Sequence, residues 1–129
     1  MNWTYNDIDV LELPDNCVGF VYKITNLKND KIYIGKKYSI QKRKNKNGKR
    51  VAKESDWRSY LGSCTDLSSD IKSIGLYNFK KQIIRYCFCK NELNYYEAKM
   101  QFENDIMLNE KLCYNKFIGC KIKRFVLNK

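Results

Sequence analysis

The 129-residue chain reads as a small α/β (α+β) domain, with a central three-stranded antiparallel sheet flanked by helices in the order ββαβα. Three observations carry this. Two runs rich in β-branched and aromatic residues, Gly19 to Thr25 and Lys31 to Gly35, are joined by Asn-Leu-Lys-Asn-Asp, a turn-forming sequence that predicts an antiparallel hairpin. Two later stretches place apolar residues at helical spacing. Between them, Phe79 to Cys87 has the composition of a third strand. At 43% hydrophobic residues the chain can bury one core of modest size, so one domain is expected over residues 18–129.

Residues 1–17 form an acidic leader: Asp7, Asp9, Glu12 and Asp15 occur there without a base, which makes the leader a candidate cover for basic surface elsewhere. The hairpin follows, then a polar excursion over residues 36–53, too rich in Lys, Asn and Gly to be core. In "WRSYLGS", Trp57, Tyr60 and the Gly62-Ser63 pair read as a buried aromatic anchor for that excursion, ahead of the wall of a binding groove. Leu67, Ile71 and Ile74 predict a helix over 66–74 that Gly75 ends. The longest helix is expected over Asn91–Leu108, with Leu93, Tyr96, Met100 and Met107 along one stripe and Tyr95, Ala98, Phe102 and Ile106 along another.

Charge is distributed unevenly. Residues 23–53 hold twelve Lys or Arg against one acid, Asp30, and so account for the whole chain's net charge of +11. Lys36, Lys37, Lys42, Lys44, Lys46, Lys49 and Arg50 are candidate contacts to a polyanion backbone. No window is long and apolar enough for a membrane span, and the N-terminus has neither the basic start nor the apolar run of a signal peptide, so a cytoplasmic protein is expected. The six cysteines, at irregular spacings, are expected as free thiols. A zinc site is disfavoured: the chain has no histidine, and its one close pair, Cys87 and Cys89, is C-x-C.

Phe20-Val21-Tyr22, ten residues, Tyr33-Ile34-Gly35, seven residues, and then Arg43 resembles the signature of the GIY-YIG nuclease family. "ESDWRSYLGS", "GLYNFKKQII", "YYEAKMQF" and "CYN" are similar to a compact, homing-endonuclease-like bacteriophage branch of that family, so the resemblance covers roughly residues 18–119. The first triplet keeps only its tyrosine. The resemblance implies a GIY-YIG-like fold and a metal-dependent DNA endonuclease, acting in phage genome mobility or attack on competing DNA within the host cytoplasm.

Hydrolysing a phosphodiester needs an activated nucleophile, positive charge on the pentavalent phosphorane and help for the leaving oxygen. Without histidine, the bases available are Tyr, Lys, Asp, Glu and metal-bound water. Tyr22 and Tyr33 lie on adjacent antiparallel strands, close enough to address one phosphate. A phenol becomes a base only if cations lower its pKa, and Lys31, Lys36, Lys37 and Arg43 are candidates for that. Arg43, at the family spacing, suits two phosphate oxygens at once, and Gly35 suits a close backbone approach or a sharp turn.

The resemblance further implies a carboxylate on the last helix that holds Mg²⁺ or Mn²⁺. Glu97 is favoured over Glu103 for this, and Asn115 is expected to tie the closing loop back to the site. DNA is the expected partner, met by a monomer or a DNA-induced dimer. A catalytically silent, basic nucleic-acid-binding module of the same fold stays open as the second reading.

Overall fold

A computed structural model describes residues 1–127 apart from Cys120, and the side chain of Arg43 also lies outside the described residues. The elements in order are β1 (Thr4–Tyr5), β2 (Ile8–Asp9), β3 (Gly19–Asn26), β4 (Ile32–Tyr38), β5 (Ile40–Lys44), β6 (Arg50–Glu54), α1 (Thr65–Ile74), a short 3-10 turn at Leu76–Asn78, β7 (Phe79–Cys87) and α2 (Lys90–Glu103). The expected ββ, α, β, α sequence is present as β3, β4, α1, β7 and α2. The main sheet, however, is mixed and has five strands in the order β2-β1-β7-β3-β4, not three antiparallel ones.

The two additional strands come from the N-terminal segment. Asn6 and Asp7 both take positive φ, 50° and 65°, as a two-residue hairpin turn requires, and so fold β1 onto β2. Trp3 is 1% exposed, and its indole N–H donates to the Trp57 carbonyl at 2.6 Å. Burying that ring brings Thr4 alongside Gln82 of β7, in parallel. This segment lies on the far edge of the sheet from β4. Its acids do not cover the basic excursion: Asp7 pairs with Lys80 at 3.3 Å and Glu12 with Arg58 at 3.1 Å.

β3 pairs with β4 in the register Tyr22↔Gly35 and Ile24↔Tyr33. Because strand side chains alternate, Phe20, Tyr22 and Ile24 face one side, where they pack with Trp3, Trp57 and Leu67 of α1. Val21 and Ile34 face the other, against Leu93 of α2, Ile106 and Cys113. The sheet is therefore covered on both faces. The connecting turn is closed by Asn26, whose buried side chain accepts from the Lys28 N–H and donates to the Tyr114 hydroxyl, which in turn donates to Asp70 at 2.6 Å.

Two boundaries differ from expectation. The excursion over 36–53 extends β4 to Tyr38 and then forms a two-stranded ribbon, β5 against β6, apart from the main sheet. The last helix ends at Glu103, short of Leu108, because the Asn104 amide donates to the Met100 carbonyl at 2.7 Å and Asp105 turns to φ 50°. Ile106 is thereby delivered into the second core from a loop.

Candidate active site

β4 is an edge strand, and its outward N–H and C=O groups need partners. The closing segment supplies them. Ile32 N–H donates to the Leu112 carbonyl and Tyr114 N–H to the Ile32 carbonyl, after which Asn115 takes over with its side chain. Its Oδ1 accepts from Ile34 N–H at 3.0 Å and its Nδ2 donates to the Ile34 carbonyl at 2.8 Å. Gln101 Nε2, from α2, donates to the same carbonyl at 2.9 Å. Asn115 thus imitates a neighbouring strand, and a cleft of about 360 Å³ opens beside it.

That cleft joins the two faces of the sheet at its edge. Tyr33 and Ser63 enter from the α1 side, and Glu97 and Gln101 from the α2 side. Tyr33 Oη and Ser63 Oγ are 3.2 Å apart. Tyr22 sits behind, 1% exposed, its ring 6.1 Å from that of Tyr33. Gly35 makes this layering possible, since a Cβ there would stand 2.6 Å from the Tyr22 hydroxyl and 3.0 Å from the Tyr33 ring.

The expected lowering of the phenols does not occur. Burial pushes Tyr22 well above the ordinary tyrosine value, with the Tyr60 and Tyr33 hydroxyls adding to it. Burial also raises Tyr33, against a smaller opposing effect of Ser63. The lysines are engaged elsewhere: Lys31 lies over the Tyr114 ring at 4.6 Å, and Lys37 binds Asp56 at 2.6 Å and covers the Tyr60 ring at 4.0 Å. Both phenols are hydrogen-bonding groups at neutral pH in the free protein.

The ammonium of Lys36, a candidate DNA contact, stands 3.8 Å from Glu97 Oε1 and hydrogen-bonds Asn94 Oδ1. Burial raises the Glu97 carboxyl above the ordinary glutamate value, and Lys36 opposes this. Glu103 points away, exposed and paired with Lys99 at 3.8 Å. Arg43 lies on β5 opposite Val51; its side chain is outside the described residues.

The donor set fits a hard divalent cation. Among the described residues no group of three His, Cys, Asp or Glu gathers, so Glu97 is a single protein carboxylate. The Gln101 Oε1, buried and without a hydrogen-bond partner among the described residues, supplies a second oxygen one helical turn away in the same cleft. Mg²⁺ is held by one or two carboxylates with water and substrate phosphate completing the shell, and Mn²⁺ shares its preference for oxygen.

The family described as "Putative endonuclease segE, GIY-YIG domain" matches residues 3–118. The chain belongs to the GIY-YIG family. Over 100 residues, 77% of this chain and 37% of the relative, it is 35% identical to "Putative endonuclease segD" of Enterobacteria phage T4. Over 109 residues, 84% of this chain and 47% of the relative, it is 28% identical to "Putative endonuclease segC" of the same phage. The chain therefore spans less than half the length of these curated relatives. No solved structure matches it. The match begins at residue 3, in keeping with the buried Trp3 and the strand that follows it.

Within this GIY-YIG chain the structure gathers Tyr22, Tyr33, Gly35, Lys36, Glu97 and Asn115 at one edge of the sheet. Sequence reasoning missed Asn94 and Gln101, and it read the Gly62-Ser63 pair as an anchor ahead of a groove wall, whereas Ser63 lines the cleft. A signal for the first two was present: Asn94, Glu97 and Gln101, spaced three and four apart, put a polar row on one helix face.

Proposed function

We propose that this chain is a DNA endonuclease that hydrolyses a phosphodiester bond with the help of Mg²⁺ or Mn²⁺, in phage genome mobility or attack on competing DNA. The observation that carries the reading is the meeting of Tyr33 and Glu97, from opposite faces of the sheet, in one cleft at the edge of β4. Bound there, the cation would neutralise phosphate charge and lower the pKa of a coordinated water. Glu97 and Gln101 would hold it.

Lys36 opposes the upward shift that burial gives the Glu97 carboxyl and holds its head in place. Tyr33 donates to a phosphate oxygen or orients the attacking water, with Ser63 fixing its hydroxyl. Tyr22 and Gly35 set the Tyr33 ring from behind. Arg43, always charged, meets the phosphorane as negative charge builds on it. Asn115 holds β4 against the closing loop.

Incubation of supercoiled plasmid with the protein and Mg²⁺ or Mn²⁺ tests this, with chelator as control. Conversion to open circle, abolished by chelator and by Glu97→Gln, is the expected result. No conversion with any divalent metal, while duplex binding persists, would leave the non-cutting module as the correct reading.

A further inference from the structure

We propose that the β5–β6 ribbon is a groove-reading element that enters the major groove of duplex DNA beside the cleft. The proposal rests on the endonuclease reading for its choice of partner. Three features of the ribbon carry it.

Among the described residues, neither face of the ribbon carries a continuous apolar stripe. Ile40 pairs with Glu54, Lys42 with Ala52 and Lys44 with Arg50, so these side chains share one face, whereas Gln41, Lys53 and Val51 belong to the other. Its two large exposed apolar residues, Ile40 and Val51, therefore fall on opposite faces. Cations occur on both: Lys42, Lys44 and Arg50 on the first, Lys53 on the second. A strip that lay along one sugar-phosphate backbone would need charge on one side only. Charge on both sides suits a slot with two phosphate walls.

The ribbon is nevertheless rigidly mounted. At its root Ser55 N–H donates to the Ser39 carbonyl at 2.8 Å, and two buried hydroxyls brace it, Ser39 to Cys17 O and Ser55 to Tyr38 O, each at 2.6 Å. At its tip Asn45 Oδ1 accepts from the Asn47 and Lys49 amides, and Gly48 takes φ 77°. A solvated lysine loop has no need of such bracing. Because β4 runs directly into the root, the ribbon projects from a fixed point next to Lys36 and Lys37.

The dimensions agree. Two strands about 4.8 Å apart with side chains on both faces fit a major groove about 12 Å wide and 8.5 Å deep, which admits a two-stranded ribbon, and exceed a minor groove about 6 Å wide.

Duplex binding, measured in chelator so that no cutting intervenes, tests the assignment. Three forms of one duplex are compared: plain, with bulky groups on the pyrimidine C5 positions that fill the major groove, and with its minor groove occupied by netropsin. The C5 substituents should raise Kd about tenfold or more, and netropsin should leave it within about twofold. Lys42→Ser/Lys44→Ser/Arg50→Ser, all at exposed positions, should weaken binding to the plain duplex and abolish the discrimination between plain and filled forms. Displacement by netropsin with indifference to the C5 groups would overturn the proposal, as would indifference to both or absence of duplex binding. Plasmid cutting by the unaltered protein reads the endonuclease proposal separately.

Discussion

At Glu97, burial and charge act in opposite directions. Burial raises its carboxyl and the Lys36 ammonium, 3.8 Å away, restrains the rise. A divalent cation competes for the ionised form only, so Mn²⁺ affinity should fall as pH drops through the raised value. In Lys36→Met the restraint is lost, and this acid limb should move to higher pH in a titration of Mn²⁺ binding. A limb that stays in place would separate Lys36 from the carboxylate. Gly35→Ala belongs to the same scale. Its methyl group would stand 2.6 Å from the Tyr22 hydroxyl, and the tyrosine rings must shift. Plasmid cleavage should fall by about 10²-fold, the cost of misplacing reacting groups by an ångström, with circular dichroism unchanged. Tyr33→Phe, which keeps the ring and removes the donor, should cost about 10²-fold as well.

Among the elements, the ribbon is where electrostatics and local folding are most closely joined. Its tip residues Lys46 and Lys49 and the adjoining Lys44 are exposed. If the whole segment Lys36 to Arg50 neutralises about five phosphates, log K should fall against log[salt] with a slope of roughly −4 to −5. Neutralising Lys44, Lys46 and Lys49 together should flatten the slope by up to about 3. An unchanged slope would assign these lysines to solvation. The main hairpin and both helices were legible in the sequence, because β3 and β4 alternate around a strong turn and α1 keeps its apolar spacing to Gly75. The end of α2 was not. Asn104 donates to the Met100 carbonyl with both its backbone N–H and its side chain and Asp105 turns to φ 50°, while apolar periodicity continues past that point without registering the cap.

Across the whole molecule, the N-terminal strand and β7 are joined through a buried cation. Lys81 is 2% exposed, its ammonium lies 4.4 Å from the Trp3 ring and donates to the Arg58 carbonyl, and burial lowers its pKa to about 8. The unfolded chain keeps that proton up to about 10.4. Between these values the unfolded state binds more protons at this group, so its contribution to unfolding free energy should rise with pH across that window. Urea titrations at pH 7.5 and 9.5 should show the native protein gaining stability relative to Lys81→Met, a difference that isolates this group from the tyrosines and from the buried thiols Cys17, Cys87 and Cys113, whose raised pKa values act in the opposite direction. A second prediction concerns stoichiometry. Among the described residues Tyr33 and Glu97 meet in one cleft, and the two scissile phosphates of a duplex face opposite ways. Supercoiled plasmid should therefore become open circle before linear product appears, with linear product rising steeply with protein concentration. Linear product formed directly at the lowest active concentration would indicate a preformed dimer.

The sequence by itself determined what depends on neighbours along the chain: the β3–β4 hairpin, the position of α1, the concentration of charge in residues 23–53, and a spacing of Tyr22, Tyr33 and Arg43 specific enough to indicate the family. Glu97 rather than Glu103 could be favoured from the motif around it. Tertiary structure decided what depends on contacts distant in sequence. Trp3 enters the core because Trp57, 54 residues away, accepts its indole hydrogen, and a leader judged on its acids became part of the sheet. Lys36, one of the candidate DNA contacts, meets Asn94 and Glu97 because strand alternation turns it toward α2. The phenols stay protonated because folding buries them, and desolvation outweighs lysines whose charges are directed elsewhere. Spacing records which residues a site contains; the dielectric and the partners that set their chemistry exist only once the sheet edge is closed.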